Sequence, residues 1–164
     1  MRETEVEPSA IKLEITESVT MGDAERTIRV VQELKKFGLR IGIDDFGTGY
    51  SSLSYLRRFP MDTLKIDRSF VSGLKANPEN REIIRTIIGL ARNLGMNVVA
   101  EGTETAEEIS YLKTLDCEFA QGYYYSKPVD SASATVLLAK GHSLHTEKAI
   151  SATIVSATTS HDRT

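Results

Sequence analysis

Tryptophan is absent from the 164 residues, cysteine occurs once and proline four times. With Cys117 alone no intrachain disulfide can form, so the fold rests on core packing and suits a reducing compartment. No apolar run approaches the ~18 residues of a membrane span, and Met1-Arg2-Glu3-Thr4-Glu5 leads into no hydrophobic signal segment. The expected location is cytoplasmic, with room for a membrane tether in a longer parent. An excess of positive charge is missing too. Lys and Arg total 20 against 23 for Asp and Glu, a net charge of -3. That excludes a broad basic face for DNA or RNA polymers and leaves a local pocket for a small anion. Neither G-x-G-x-x-G nor a P-loop occurs, which removes the usual support for a nucleotide cofactor.

What is present is an alternation of two periods. Ile11, Leu13 and Ile15 alternate with Lys12 and Glu14 as a strand before a polar turn, Thr16-Glu17-Ser18. Residues 23–37 then place Ala24, Ile28, Val31 and Leu34 at helical spacing, with Gly38 closing the helix. Residues 39–43 form the next strand, ending in Asp44-Asp45-Phe46-Gly47-Thr48-Gly49. A short helix over 51–57 leads past Pro60 into a strand over 63–66. After a connection carrying Phe70, Val71 and Leu74, Asn77-Pro78 reads as an N-cap with proline in the first turn, opening a helix striped with Ile83, Ile84, Ile87, Ile88, Ala91 and Leu94. A strand over 97–100, a capping-box helix from Thr105 and Glu108, a short strand at Phe119-Ala120 and a helix over 133–139 complete the series.

Parallel strands joined by right-handed helical crossovers are the simplest topology for that order, an α/β fold. Periodicity does not choose between a doubly wound sheet and a barrel. The polar residues do. Glu14, Asp44, Lys65, Glu101 and Gln121 stand at or just beyond the ends of five successive strands, and a site drawn from many strand ends is a barrel mouth. A complete eight-stranded barrel takes ~250 residues, more than are here. Residues 141–164, rich in Ser, Thr, His and Ala, are expected to be a poorly ordered tail.

Taken singly, each of these carboxylates could be a cap or a solvated loop charge. Around one mouth, Glu14, Asp44, Asp45 and Glu101 supply hard oxygen ligands for Mg2+ or Mn2+ and point to phosphate-ester hydrolysis. Lys65 would hold the attacking water or stabilise developing charge, and Gln121 would donate a hydrogen bond. Gly47 and Gly49 suit a tight turn. His142 and His145 lack the partners of a zinc site, Cys117 is a packing residue, and Tyr123, Tyr124 and Tyr125 are mainly structural with one free to stack on a base.

Leu13-Glu14-Ile15-Thr16-Glu17, Asp44-Asp45-Phe46-Gly47-Thr48-Gly49-Tyr50-Ser51-Ser52, Leu64-Lys65-Ile66-Asp67, Val99-Ala100-Glu101-Gly102-Thr103-Glu104 and Gln121-Gly122-Tyr123, in that order, resemble the EAL-domain family of bacterial cyclic-di-GMP phosphodiesterases. The resemblance implies a truncated TIM-like (βα) barrel, approximately strands 4 to 8 of the family fold, with residues 1–140 a partial EAL domain. It implies hydrolysis of cyclic di-GMP to pGpG with two Mg2+ or Mn2+ ions. Glu14, Asp44, Asp45 and Glu101 resemble the metal ligands, Lys65 the lysine that positions the water, Gln121 the site glutamine, and Glu17 the glutamate that steadies the loop after Asp45. Implied partners are a second copy through that loop, the N-terminal barrel segment, and a sensory or diguanylate cyclase domain in the parent. The tripeptide Glu-Ala-Leu and the family's Asn-bearing strand are not in the sequence, so this chain alone is expected to be inactive. The alternatives left open are an inactive cyclic-di-GMP-binding or protein-interaction module and a gene fragment without function.

Overall fold

Alternating side chains and well-capped helices generate a single repeating layer, visible in a computed structural model that describes residues 6–21, 23–49, 53–74 and 76–139. The strands are β1 (Lys12–Thr16), β2 (Arg40–Phe46), β3 (Thr63–Ile66), β4 (Asn97–Glu101) and β5 (Phe119–Gln121). All pair in parallel, and their order in the sheet is their order in the chain. With no reversal of order, right-handed crossovers deliver the helices that connect the strands to one face, which makes the sheet the wall of a barrel and not a doubly wound sheet with a crevice.

The helices form where the caps and stripes require. They are α1 (Glu17–Met21), α2 (Ala24–Lys36), α3 (Leu53–Leu56), α4 (Arg68–Val71), α5 (Pro78–Asn93), α6 (Ala106–Thr114) and α7 (Ser131–Ala139). Asp23 caps α2 by accepting from the Arg26 N–H, and Asn77 caps α5 by accepting from Glu79 and Asn80. Thr105 and Glu108 close a reciprocal capping box on α6. The Glu108 carboxylate also accepts from the Gly73 N–H at 3.4 Å, joining the connection between α4 and α5 to the first turn of α6.

Alternation sorts the sheet residues between two chemistries. Ile41, Ile43, Leu64, Ile66, Val98 and Ala100 form one apolar cluster with Ile28 and Val31 of α2, Ile84, Ile88 and Ala91 of α5 and Leu112 of α6. Each fully buried Leu or Ile among them contributes about 1.5–3 kcal/mol. The opposite face carries Lys12, Glu14, Thr63 and Lys65. Gly42 sits among them, and a Cβ built on it would lie 3.6 Å from Glu14 Cγ and 3.7 Å from both Lys12 Cδ and Thr63 Cβ.

Several boundaries differ from expectation. The stretch Thr16-Glu17-Ser18 holds no turn: Thr16 ends β1 and α1 starts at Glu17, the acid of its first turn. The second strand runs on through the acidic pair to Phe46. The connection carrying Phe70 and Val71 contains α4, capped by the Asp67 carboxylate on the Ser69 N–H. The last helix starts at Ser131, where 133 was expected. The tail over 141–164 and His142 and His145 lie outside the described residues.

Candidate functional site

Adjacent residues on a regular strand point to opposite faces, so Asp44 and Asp45 should not serve one site. The structure resolves this with a bulge. Ile43 pairs with Leu64 and Phe46 with Ile66, so β2 spends one more residue than β3 over the same stretch. Asp45 takes up the extra residue with φ +54, in the left-handed region that aspartate tolerates better than most side chains. One carboxylate oxygen from each of Asp44, Asp45 and Glu101 then lies within 4.8 Å of the other two.

Lys65 lies at the centre. Its side chain is 4% exposed, and Nζ stands 2.7 Å from Glu14, 2.9 Å from Asp44 and 2.7 Å from Glu101. One ammonium donates to acids from three different strands, which burial alone would forbid and the three charge-assisted bonds permit. Burial would lower the lysine pKa, but the bonds to Glu101, Glu14 and Asp44 prevail and hold it above its ordinary value. Lys65 is therefore a hydrogen-bond donor and fixed positive charge, not a base. Burial pushes the Glu101 carboxyl up despite Lys65, and Asp45 is pushed up by burial, then by Asp44 and Asp67.

Gln121 is the register partner of Glu101. Its Oε1 is buried and has no hydrogen-bond partner among the described residues, and the same holds for the Thr103 hydroxyl. The two residues adjoin, since the Thr103 N–H donates to the Gln121 carbonyl at 3.2 Å. Buried polar atoms are as a rule hydrogen-bonded, so both atoms are open to a water or a ligand group. Thr103 is a candidate that strand and helix periodicity does not reveal, because it sits in the turn after β4.

Glu17 is 2% exposed and faces the loop after β2. Its Oε2 accepts from the Gly47 N–H at 2.9 Å and the Gly49 N–H at 3.1 Å. A Cβ on Gly49 would come 3.1 Å from the Glu17 carboxyl carbon. Replacing Glu17 with Ala is expected to speed hydrogen exchange at Gly47 and Gly49 by at least about tenfold, since a bond to a charged group is worth ~1.5–3 kcal/mol, while exchange in α5 stays unchanged. Equal rates at both glycines would refute a tether.

The donor set fits a hard divalent cation: three convergent carboxylates, with Glu14 joined to them through Lys65. Because the ligands must be deprotonated, metal affinity should fall with acidity. With Glu101 raised from 4.5 and Asp45 from 3.8, that loss should begin above those ordinary values as pH falls. Calorimetric Mn2+ titration across pH 7 to 5, a range set by about one unit of carboxylate spread, should show it, and a flat affinity would refute it. Elsewhere, Cys117 is buried with its thiol pushed up to about 11 by burial, which makes it a packing group. Tyr123 is 58% exposed beside Lys127, and Tyr124 packs edge-on against Tyr125.

Among the described residues no helix is long and apolar enough to cross a membrane. The cyclic di-GMP phosphodiesterase NbdA of Pseudomonas aeruginosa is 45% identical over 123 residues, 75% of this chain and 16% of NbdA. MucR of the same organism, a bifunctional diguanylate cyclase/cyclic di-GMP phosphodiesterase, is 43% identical over 124 residues, 76% of this chain and 18% of MucR. The MucR phosphodiesterase solved with c-di-GMP superposes with a TM-score of 0.79 at 40% identity, over 81% of this chain and 54% of that one. BlrP1 of Klebsiella pneumoniae, solved with manganese and cy-diGMP, gives 0.70 at 33% identity over 74% of this chain and 31% of that one. The chain thus spans about half of the solved MucR domain and under a fifth of the two curated relatives. The EAL-domain family profile matches residues 1–128, and with the five parallel strands carrying their acids and lysine at the carboxyl ends, the chain belongs to the EAL-domain family.

Proposed function

We propose that this chain carries the Lys65-centred part of a cyclic-di-GMP phosphodiesterase site, and that residues 1–164 by themselves do not turn over substrate. The observation that supports the reading is one buried ammonium drawn between carboxylates of β1, β2 and β4, with Asp45 beside them. Asp44, Asp45, Glu101 and Glu14 would hold Mg2+ or Mn2+, which supplies Lewis acidity toward a phosphoryl oxygen and lowers the pKa of water. The reaction adds water oxygen to phosphorus and breaks one P–O bond of the ring, with a proton from the water ending on the departing ribose oxygen, and leaves pGpG. Lys65 keeps its proton, orients the water and offsets charge building on the phosphoryl oxygens. Gln121 and Thr103 present polar groups beside Glu101 for substrate or water. Glu17 holds the loop after β2 in place. Partners consistent with the reading are cyclic di-GMP, a second copy of the domain, and signalling domains of the kind MucR's name reports.

A chimaera tests it directly. Grafting residues 6–128 onto the remaining N-terminal strands of the MucR phosphodiesterase should give pGpG in Mn2+, and Asp44→Asn should abolish both metal binding and most turnover. Lys65→Ala should cut turnover and leave more of the metal affinity, because an ammonium is no metal ligand. Residues 1–164 alone should give no pGpG in either metal. A folded chimaera that binds Mn2+ yet makes no pGpG would overturn the enzymatic reading, and turnover by 1–164 alone would overturn its second clause.

A further inference from the structure

The short helix α4 follows β3 directly and stands between the two turns that carry the acids. β3 is the middle strand of the sheet, so the exits of β2 and β4 lie on either side of it. On one side the loop after β2 presses on the helix. A Cβ built on Gly47 would come 2.7 Å from Phe70 Cε2, 3.1 Å from Phe70 Cζ and 3.5 Å from Ile87 Cδ1, so the bare Cα rests against the far end of the phenylalanine ring. On the other side the turn after β4 makes the same kind of approach. A Cβ on Gly102 would overlap the Arg68 Cβ and lie 3.3 Å from the Arg68 Cα. Gly47 and Gly102 have φ +101 and +70, a region that glycine enters without strain, and this permits both approaches.

The helix is fixed from behind as well. Asn80 of α5 donates a carboxamide N–H to the Ser69 carbonyl at 3.2 Å, and Val71 is buried in the core. Gly73, just past the end of α4, is bonded to Glu108, whose other carboxylate oxygen takes the Glu104 and Thr105 N–H groups at 2.8 and 3.0 Å. A helix held at these points acts as a stop. The loop after β2 thus lies between two opposed contacts: Glu17 accepts from the Gly47 N–H, and the Phe70 ring blocks the same residue from the side of β3. Asp45 is two residues before Gly47 and Glu101 adjoins Gly102, so the bulk of α4 sets how far apart these two acids stand.

We propose that Phe70 is a positioning residue for the acid cluster, its ring setting the separation of Asp45 from Glu101 and thereby the fit of the cluster to a divalent cation. The proposal rests on the reading of these acids as metal ligands and deepens it. β2, β3 and β4 each have both sheet neighbours in place, so the contact owes nothing to an open edge.

The test uses residues 1–164, with amide hydrogen exchange in EDTA and Mn2+ calorimetry as separate readouts. Phe70→Leu removes the ring atoms that meet Gly47 and keeps the root of the side chain. Exchange at Gly47 and Gly49 should speed by about threefold or more as the loop loses its stop. Mn2+ should bind about tenfold more weakly, the usual scale for losing the support behind metal ligands. Phe70→Met, whose unbranched chain refills the gap, should return both readouts to within about twofold of the parent. Ile88→Val, a comparable loss from the core of α5 away from Gly47, should move neither. Gly47→Ala should also weaken Mn2+, and combined with Phe70→Leu it should lose less than the two single losses together, because the shorter side chain makes room for the methyl group. That cycle serves equally with Phe70→Met if the leucine variant does not fold. Unchanged exchange or unchanged Mn2+ affinity in the Phe70 and Gly47 variants, equal losses in Ile88→Val, or strictly additive losses in the double variant overturn the proposal. A parent chain that binds no Mn2+ overturns the metal reading instead, and exchange at Gly47 then decides the stop by itself.

Discussion

Lys65→Met is expected to destabilise the metal-free chain by about 3–5 kcal/mol at neutral pH, the usual result of stripping the partner from buried charges. Methionine retains most of the stem, so lost packing contributes little. What is lost is the ammonium that holds Glu14, Asp44 and Glu101 together from three strands. The sign of the pH dependence follows from the directions of the shifts. The Lys65 pKa is raised, so its contribution is fully present below 10.5 and is lost only as pH climbs through the folded value. Across the acid-to-neutral range it is therefore constant, and the gap between wild type and variant changes through the acids. Glu101, already raised above 4.5 with Lys65 in place, rises further without it. The folded variant takes up protons as pH falls toward that value and recovers stability, so the gap narrows. Urea denaturation at neutral and mildly acid pH in EDTA reads both effects. A loss below ~1 kcal/mol, the range of an exposed lysine, would mean that the three contacts carry no net stabilisation.

The fold was legible where local rules and tertiary needs agree. Thr63 to Ile66, the Asn77-Pro78 start of α5 and the Thr105–Glu108 capping box sit where the sequence puts them, because strand period, cap chemistry and burial favour the same residues. The same agreement made a row of polar strand ends readable as a barrel mouth. What escaped depends on register between strands distant in sequence. Nothing in Asp44-Asp45 announces an extra residue relative to β3, so the bulge that turns both acids to one site appears only once Phe46 is paired with Ile66. Thr16-Glu17-Ser18 has turn composition, yet Glu17 opens a helix so that its carboxylate reaches the amides of Gly47 and Gly49, 30 and 32 residues on. The order of the five motifs resembles the family and implied these roles. The geometry adds how a five-strand wall holds the residues together, with a lysine acting among the acids as a counter-ion.

Gly122→Ala should cost about 3–5 kcal/mol, although it adds one methyl group next to an exposed loop. A Cβ there would lie 2.1 Å from the Thr103 carbonyl oxygen and 2.3 Å from its nitrogen, both rigid backbone atoms. Relief requires parting the chain after β4 from the chain after β5. That strains the Thr103 N–H to Gln121 bond of 3.2 Å and the Tyr124 N–H to Thr103 bond of 3.0 Å, the two links that hold the ends of these strands in register. Overpacking contributes ~1–3 kcal/mol and the two bonds ~1 kcal/mol each. Gly89→Ala supplies the contrast. It lies inside α5 with nothing within 4 Å of its would-be Cβ and no positive φ, so alanine should stabilise by about 0.5–1 kcal/mol through helix propensity. Opposite shifts of the urea midpoint for two Gly→Ala changes in one protein would show that close backbone approach, not glycine content, governs the response. In the chimaera Gly122→Ala should also depress turnover beyond its effect on stability, because Gln121 and Glu101 face each other across the same strand pair. A midpoint for Gly122→Ala equal to that of the parent chain would refute the close approach of the two strand exits.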